Sequence, residues 1–107
     1  MDDCVQVTTT TASEDDARAL ATGLVEQRLA ACVQVLGPIT SVYRWEGAVQ
    51  TETEWLCVAK TTAARLDELT AWVKGHHGYD VPEIVATPVV GGADDYLRWV
   101  TEETTPR

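Results

Sequence analysis

Few side chains in this chain are suited to chemistry. His76 and His77 stand together at the start of the segment His76-His77-Gly78-Tyr79-Asp80-Val81-Pro82. Imidazole is a good ligand for copper and zinc, so the pair is a candidate metal site, with binding lost as the rings protonate below about pH 5–6. Adjacent histidines do not easily converge on one ion, and no neighbouring cysteine or acid pair completes a set. The plainer account is one solvated histidine, His76, and one structural histidine, His77, that pins the loop. Cys32 is a candidate third ligand as a thiolate, which needs a nearby cation such as Lys60 to form at neutral pH. An inert buried thiol is again the plainer account. The cofactor expectation is therefore Cu or Zn, weakly bound, with no organic cofactor. With no GxSxG, GxGxxG, HExxH or P-loop, and no nucleophile paired with a base, the chain reads as a binding protein and not an enzyme.

The element around which the rest is organised is the stretch Ser41-Val42-Tyr43-Arg44-Trp45-Glu46-Gly47. A strand from Thr40 to Trp45 runs into a turn at Glu46-Gly47, and a longer strand, Ala48 to Thr61, leaves it. Alternation puts Tyr43 and Trp45 on one face. Two large aromatics beside a hairpin tip are costly to leave in water, and a chain of 107 residues has little to cover them with.

That length suits one domain, residues 1–107, and a hydrophobic content of 45% predicts a packed core. A formal net charge of −9, with eight scattered Lys and Arg, disfavours nucleic acid. No apolar run approaches a membrane span. Three widely spaced cysteines argue against a disulfide framework. The acidic start, Met1-Asp2-Asp3-Cys4, does not resemble a signal peptide, so a cytoplasmic location is the expectation.

The first strand is Cys4 to Thr9. Ser13 caps a helix running to about Leu29, with Ala17, Leu20, Ala21, Leu24 and Val25 as its buried face and Arg28 favouring its negative pole. Gly23 within it marks close packing. Ala31 to Leu36 is a second strand, broken by Gly37-Pro38. On the long hairpin arm, Gln50 to Glu54 is polar on both faces and is expected to project into solvent or bend at a bulge. Trp55 to Ala59 is apolar on both faces. Thr61 or Thr62 caps a second helix with Leu66, Leu69 and Val73 buried and Gly75 as its stop. Glu83 to Val90 is the last strand, with Pro88 placed at an edge, and Asp94 or Asp95 begins a short helix carrying Tyr96, Leu97, Trp99 and Val100. Residues 104–107 are expected to fray. The order β-α-β-β-α-β is an α+β, ferredoxin-like sandwich with an extended hairpin and a short C-terminal helix. Both main helices cover one sheet face, which leaves the other bare and in need of a partner.

Five stretches carry a resemblance. Arg28-Leu29-Ala30-Ala31-Cys32-Val33, Tyr43-Arg44-Trp45-Glu46-Gly47, Lys60-Thr61, His77-Gly78-Tyr79-Asp80-Val81-Pro82-Glu83-Ile84 and Tyr96-Leu97-Arg98-Trp99 resemble, in register, the motifs of the CutA family of divalent-ion tolerance proteins. Gly37-Pro38 and Gln34 depart from the usual Pro-Gly and Asn of that family. The resemblance implies a tight homotrimer akin in architecture to the PII signalling proteins, and an association with copper and divalent-cation tolerance. Within the matched motifs, Tyr43, Trp45, Lys60, Tyr79, Glu83, Tyr96 and Trp99 are candidates for a ligand pocket, or for a subunit interface in which Lys60 pairs with Glu83. The expected function is a cytoplasmic homotrimer that binds a metal ion or small ligand at or near the subunit interface. The alternatives are a PII-like module that binds a metabolite and a partner protein, and a structural scaffold.

Overall fold

The computed structural model describes residues 3–106. Its elements are β1 (Cys4–Thr11), α1 (Glu14–Glu26), β2 (Cys32–Trp45), β3 (Ala48–Thr62), α2 (Leu66–His76), β4 (Val85–Pro88) and α3 (Asp94–Thr104), with a single 3₁₀ turn, Ala63–Arg65, leading into α2. The four strands form one antiparallel sheet in the order β2-β3-β1-β4. This is the ferredoxin-like arrangement. Among the described residues no helix is long and apolar enough to cross a membrane.

The Ser13 hydroxyl accepts from the Asp16 amide at 3.1 Å and starts α1, as the sequence predicts. The helix then stops at Glu26, short of Leu29. Arg28 takes φ 57°, and the Arg28 and Leu29 amides bond back to the Val25 and Leu24 carbonyls. This is a Schellman ending with arginine where glycine is usual, and Leu24 and Leu29 make its apolar contact in the core. Arg28 therefore does not serve the end of its own helix. Its guanidinium donates to the Glu102 and Thr105 carbonyls, 3.0 and 3.2 Å away, and caps α3. The earlier stop turns Val25 outward, and it is exposed.

The main core lies between the sheet and the α1–α2 layer, where Val5, Val7 and Ala59 meet Leu24, Leu69 and Val73. Gly23 is the point of closest approach: a Cβ there would sit 2.4 Å from the Trp72 ring. Gly75 does not stop α2, which continues to His76.

The opposite face is not wholly bare. α3 lies over one end of it, burying Cys4, Ala31 and Val100, and the Cys4 thiol reaches the Leu97 carbonyl at 3.8 Å. The expected fraying of residues 104–107 is corrected here. Thr104 is 1% exposed, its hydroxyl donates to the Val100 carbonyl, and Arg28 holds Thr105. Arg107 lies outside the described residues, as do Met1 and Asp2. Beyond α3 the face presents Leu36 and Val85 exposed and Leu56 and Val58 half-buried.

Gly37-Pro38 does not end a strand. It is a cis peptide within β2, at a register shift between Leu36 and Ile39. Trp55 packs against Gly37, where a Cβ would come within 2.4 Å of its ring. The irregularity thus falls in β2 and not in the Gln50 to Glu54 stretch of β3. Beyond it Ile39, Ser41, Tyr43 and Trp45 stand opposite Glu54, Glu52, Gln50 and Ala48. Glu46 and Gly47 both have positive φ, 50° and 81°, the mark of a type I′ turn, which matches the twist of the two arms.

Candidate functional site

The base of the hairpin, the end of β1 and the segment from Tyr79 to Glu83 enclose a cleft of about 510 Å³. Tyr43, Trp45 and Tyr79 line it with aromatic surface; Glu54, Asp80 and Glu83 line it with carboxylates. Among the described residues no Lys or Arg lines it. The register shift in β2 is what brings Tyr43 and Trp45 onto the same sheet face as Glu54.

His77 builds the outer wall. Its Nδ1 accepts from the Tyr79 amide at 3.0 Å, so Nε2 carries the proton donated to the Thr10 carbonyl at 2.7 Å. The loop so pinned delivers the Tyr79 hydroxyl to the Glu54 carboxylate, 2.8 Å away. Burial, then the hydrogen bond to Glu54 and the charges of Glu54 and Glu52, push the Tyr79 hydroxyl well above its ordinary range, so it stays a proton donor. Partial burial, then Glu52 and Glu54, also push Tyr43 up.

His76 is at the exposed end of α2, stacked on Trp72 at 4.0 Å, with Nδ1 donating to the Trp72 carbonyl at 2.8 Å. Its remaining nitrogen is open to a ligand, whereas a metal on His77 would displace a loop hydrogen bond. Cys32 is remote from both. It pairs with Lys60, four rungs along β3 from the Leu56 that pairs with Thr10, or roughly 13 Å. Among the described residues no three of His, Cys, Asp or Glu form a group that could hold a metal ion.

The predicted pocket set divides in two. Tyr43, Trp45, Tyr79 and Glu83 line the cleft just described. Lys60 and Tyr96 line a second cleft of about 170 Å³ beneath α3. Trp99 stands beside Tyr96, ring centroids 5.5 Å apart. Burial, then the neighbouring Cys32, raise the Tyr96 hydroxyl. The Lys60–Glu83 pairing does not form within the chain: Lys60 Nζ donates to Gln34 Oε1, and Glu83 accepts from the Thr8 hydroxyl at 3.1 Å. Cys57, the most buried thiol, is pushed up by burial and is inert as read.

Sequence reasoning missed Glu54, which is 7% exposed, as well as Thr10, Asp80 and Val81. For Glu54 a signal existed. It lies two residues before Leu56, so alternation alone places it on the open face.

The family model described as "CutA1 divalent ion tolerance protein" matches residues 5–103. The divalent-cation tolerance protein CutA of Thermus thermophilus is 47% identical over 95 residues, covering 89% of this chain and 92% of that protein. A crystal-described cation tolerance protein from the same organism superposes with a TM-score of 0.93 at 45% identity, covering 95% and 99% of the two chains. The chloroplastic CutA of Arabidopsis thaliana is 42% identical over 94% of this chain, which spans about half, 55%, of that longer relative. The chain belongs to the CutA1 divalent ion tolerance family.

Proposed function

We propose that the chain is a homotrimeric binding protein of the divalent-ion tolerance kind, which takes a cation in the cleft beside the hairpin and performs no catalysis. The observation that carries the reading is the cleft wall: Glu54, Asp80 and Glu83 line it and, among the described residues, no basic side chain does. Carboxylates in a partly desolvated concavity attract cations and repel anions. Relatives named for divalent-cation tolerance support the reading.

Assembly follows from the exposed apolar surface. Leu36, Val85, Tyr43 and Trp45 are exposed on the open face and the hairpin, where a soluble monomer gains nothing by showing them. Closed threefold symmetry covers this surface with copies of itself.

Copper or zinc is the cation to test first. Native mass spectrometry of protein purified without chelator reports subunit number and bound metal together. Calorimetric titration with zinc chloride then compares wild type with Glu54→Gln, Glu83→Gln and His76→Ala. Weakening by the two glutamine variants supports the cleft. Weakening by His76→Ala alone moves the metal to the surface of α2, and a monomeric wild type overturns the assembly.

A further inference from the structure

The geometry points to a small organic cation, an alkylated ammonium group, as the ligand that fits the large cleft. The inference rests on the reading that this cleft is the cation site, and it names the kind of cation. Two features separate an organic cation from a metal ion. The first is ligand convergence. A bare divalent ion needs several oxygen or nitrogen donors around one point. Among the described residues no three such side chains are so placed, although the cleft has three carboxylates in its wall. The charge is spread around the cavity and not focused, which suits a diffuse, weakly hydrated cation.

The second is the aromatic surface. Tyr43, Trp45 and Tyr79 line the same space as the carboxylates. Ring faces attract alkylated ammonium groups, which shed their water easily, far better than they attract a strongly hydrated divalent ion. The volume, about 510 Å³, is in the range of small-molecule sites and is generous for a single ion.

Glu54 gives the site its anchor. The residue is 7% exposed, its Oε2 takes the Tyr79 hydroxyl, and Oε1 meets no donor among the described residues. A carboxylate so buried, half-satisfied and lining the cleft is short of a positive partner. The His77 bonds to Thr10 and Tyr79 hold the loop that fixes this arrangement before any ligand arrives.

The test is calorimetric titration of the assembled full-length protein with tetramethylammonium chloride. tert-Butanol serves as a neutral control of similar shape, and zinc chloride as the metal control. Sedimentation velocity on every variant confirms unchanged assembly. The expected result is saturable uptake of tetramethylammonium, weakened about tenfold or more by Glu54→Gln and for tert-butanol, because a charge-assisted contact is lost in each. Glu83→Gln, at an exposed position, gives the same direction of change without risk to the core. Equal binding of tert-butanol, or no effect of either glutamine variant, overturns the inference. If zinc binds in a Glu54-dependent way and tetramethylammonium does not, the cleft remains a cation site and this inference alone fails. If neither binds, both fall.

Discussion

Tyr79 and Glu54 form the contact on which the cleft depends. The phenol donates at 2.8 Å to a carboxylate that is itself withdrawn from water, and both burial and charge oppose loss of its proton. In the unfolded chain a tyrosine ionises near pH 10. Above that pH unfolding releases a proton that the folded protein retains, so stability falls as pH rises from about 10 towards the folded value. The same contribution is fully present below pH 10. Urea denaturation at a series of alkaline pH values should therefore show a steeper decline in wild type than in Tyr79→Phe; parallel curves would remove the contact from the account. Tyr43, pushed in the same direction by partial burial and by Glu52 and Glu54, remains in both proteins and serves as the internal reference.

At the scale of elements, α1 and α2 are set by one close approach. Gly23 leaves room for the Trp72 ring, which in turn stacks on His76. Gly23→Leu should destabilise by about 1–3 kcal/mol through overpacking, with the Trp72 indole driven towards solvent. Thermal denaturation and a red shift in tryptophan emission check this; a stability gain would show that the helix propensity recovered by losing glycine outweighs the clash. Much of this layer was legible in the sequence. Ser13, Ala17, Leu20 and Leu24 announced α1 by cap and period, and Leu69 and Val73 announced the stripe of α2. What was not legible depended on distant partners. Arg28 reads locally as a favourable charge at a helix end, yet it adopts a left-handed conformation and grips α3 from 74 residues away. Thr104 reads as tail and is buried because that grip holds it. The cleft was half legible: the aromatics stood out, but the polar run Gln50 to Glu54 concealed a buried carboxylate, and the register shift at Gly37-Pro38 that aligns it with Tyr43 leaves no local trace of its direction.

At the scale of the whole molecule, the principal extents of 44 × 26 × 21 Å describe a body with an arm. Val42 and Val49, 65% and 62% exposed, sit on one side of that arm, and Tyr43 and Trp45 on the other. Replacing Trp45 with glutamate puts a charge where the proposed assembly needs apolar contact, and should yield dissociated or destabilised protein. Sedimentation velocity at micromolar concentration decides: a variant that stays assembled with unchanged stability would show that Trp45 does not lie at a subunit boundary.

The arm also sets a clock. Beyond the register shift, β2 pairs only with β3, and a two-stranded ribbon is marginal in water. In a lone protomer its amides should trade hydrogen for deuterium in a gradient, fastest at Glu46-Gly47 and slowing towards Ile39 and Glu54 at the root. Once copies clasp the arm, the gradient should flatten, because every amide along it then waits for the same event, the parting of subunits. Exchange in the arm becomes dependent on protein concentration, while exchange in Val7 or Ala59 at the centre of the sheet does not. The protein's most exposed ribbon would then report, residue by residue, how long each copy stays with its neighbours.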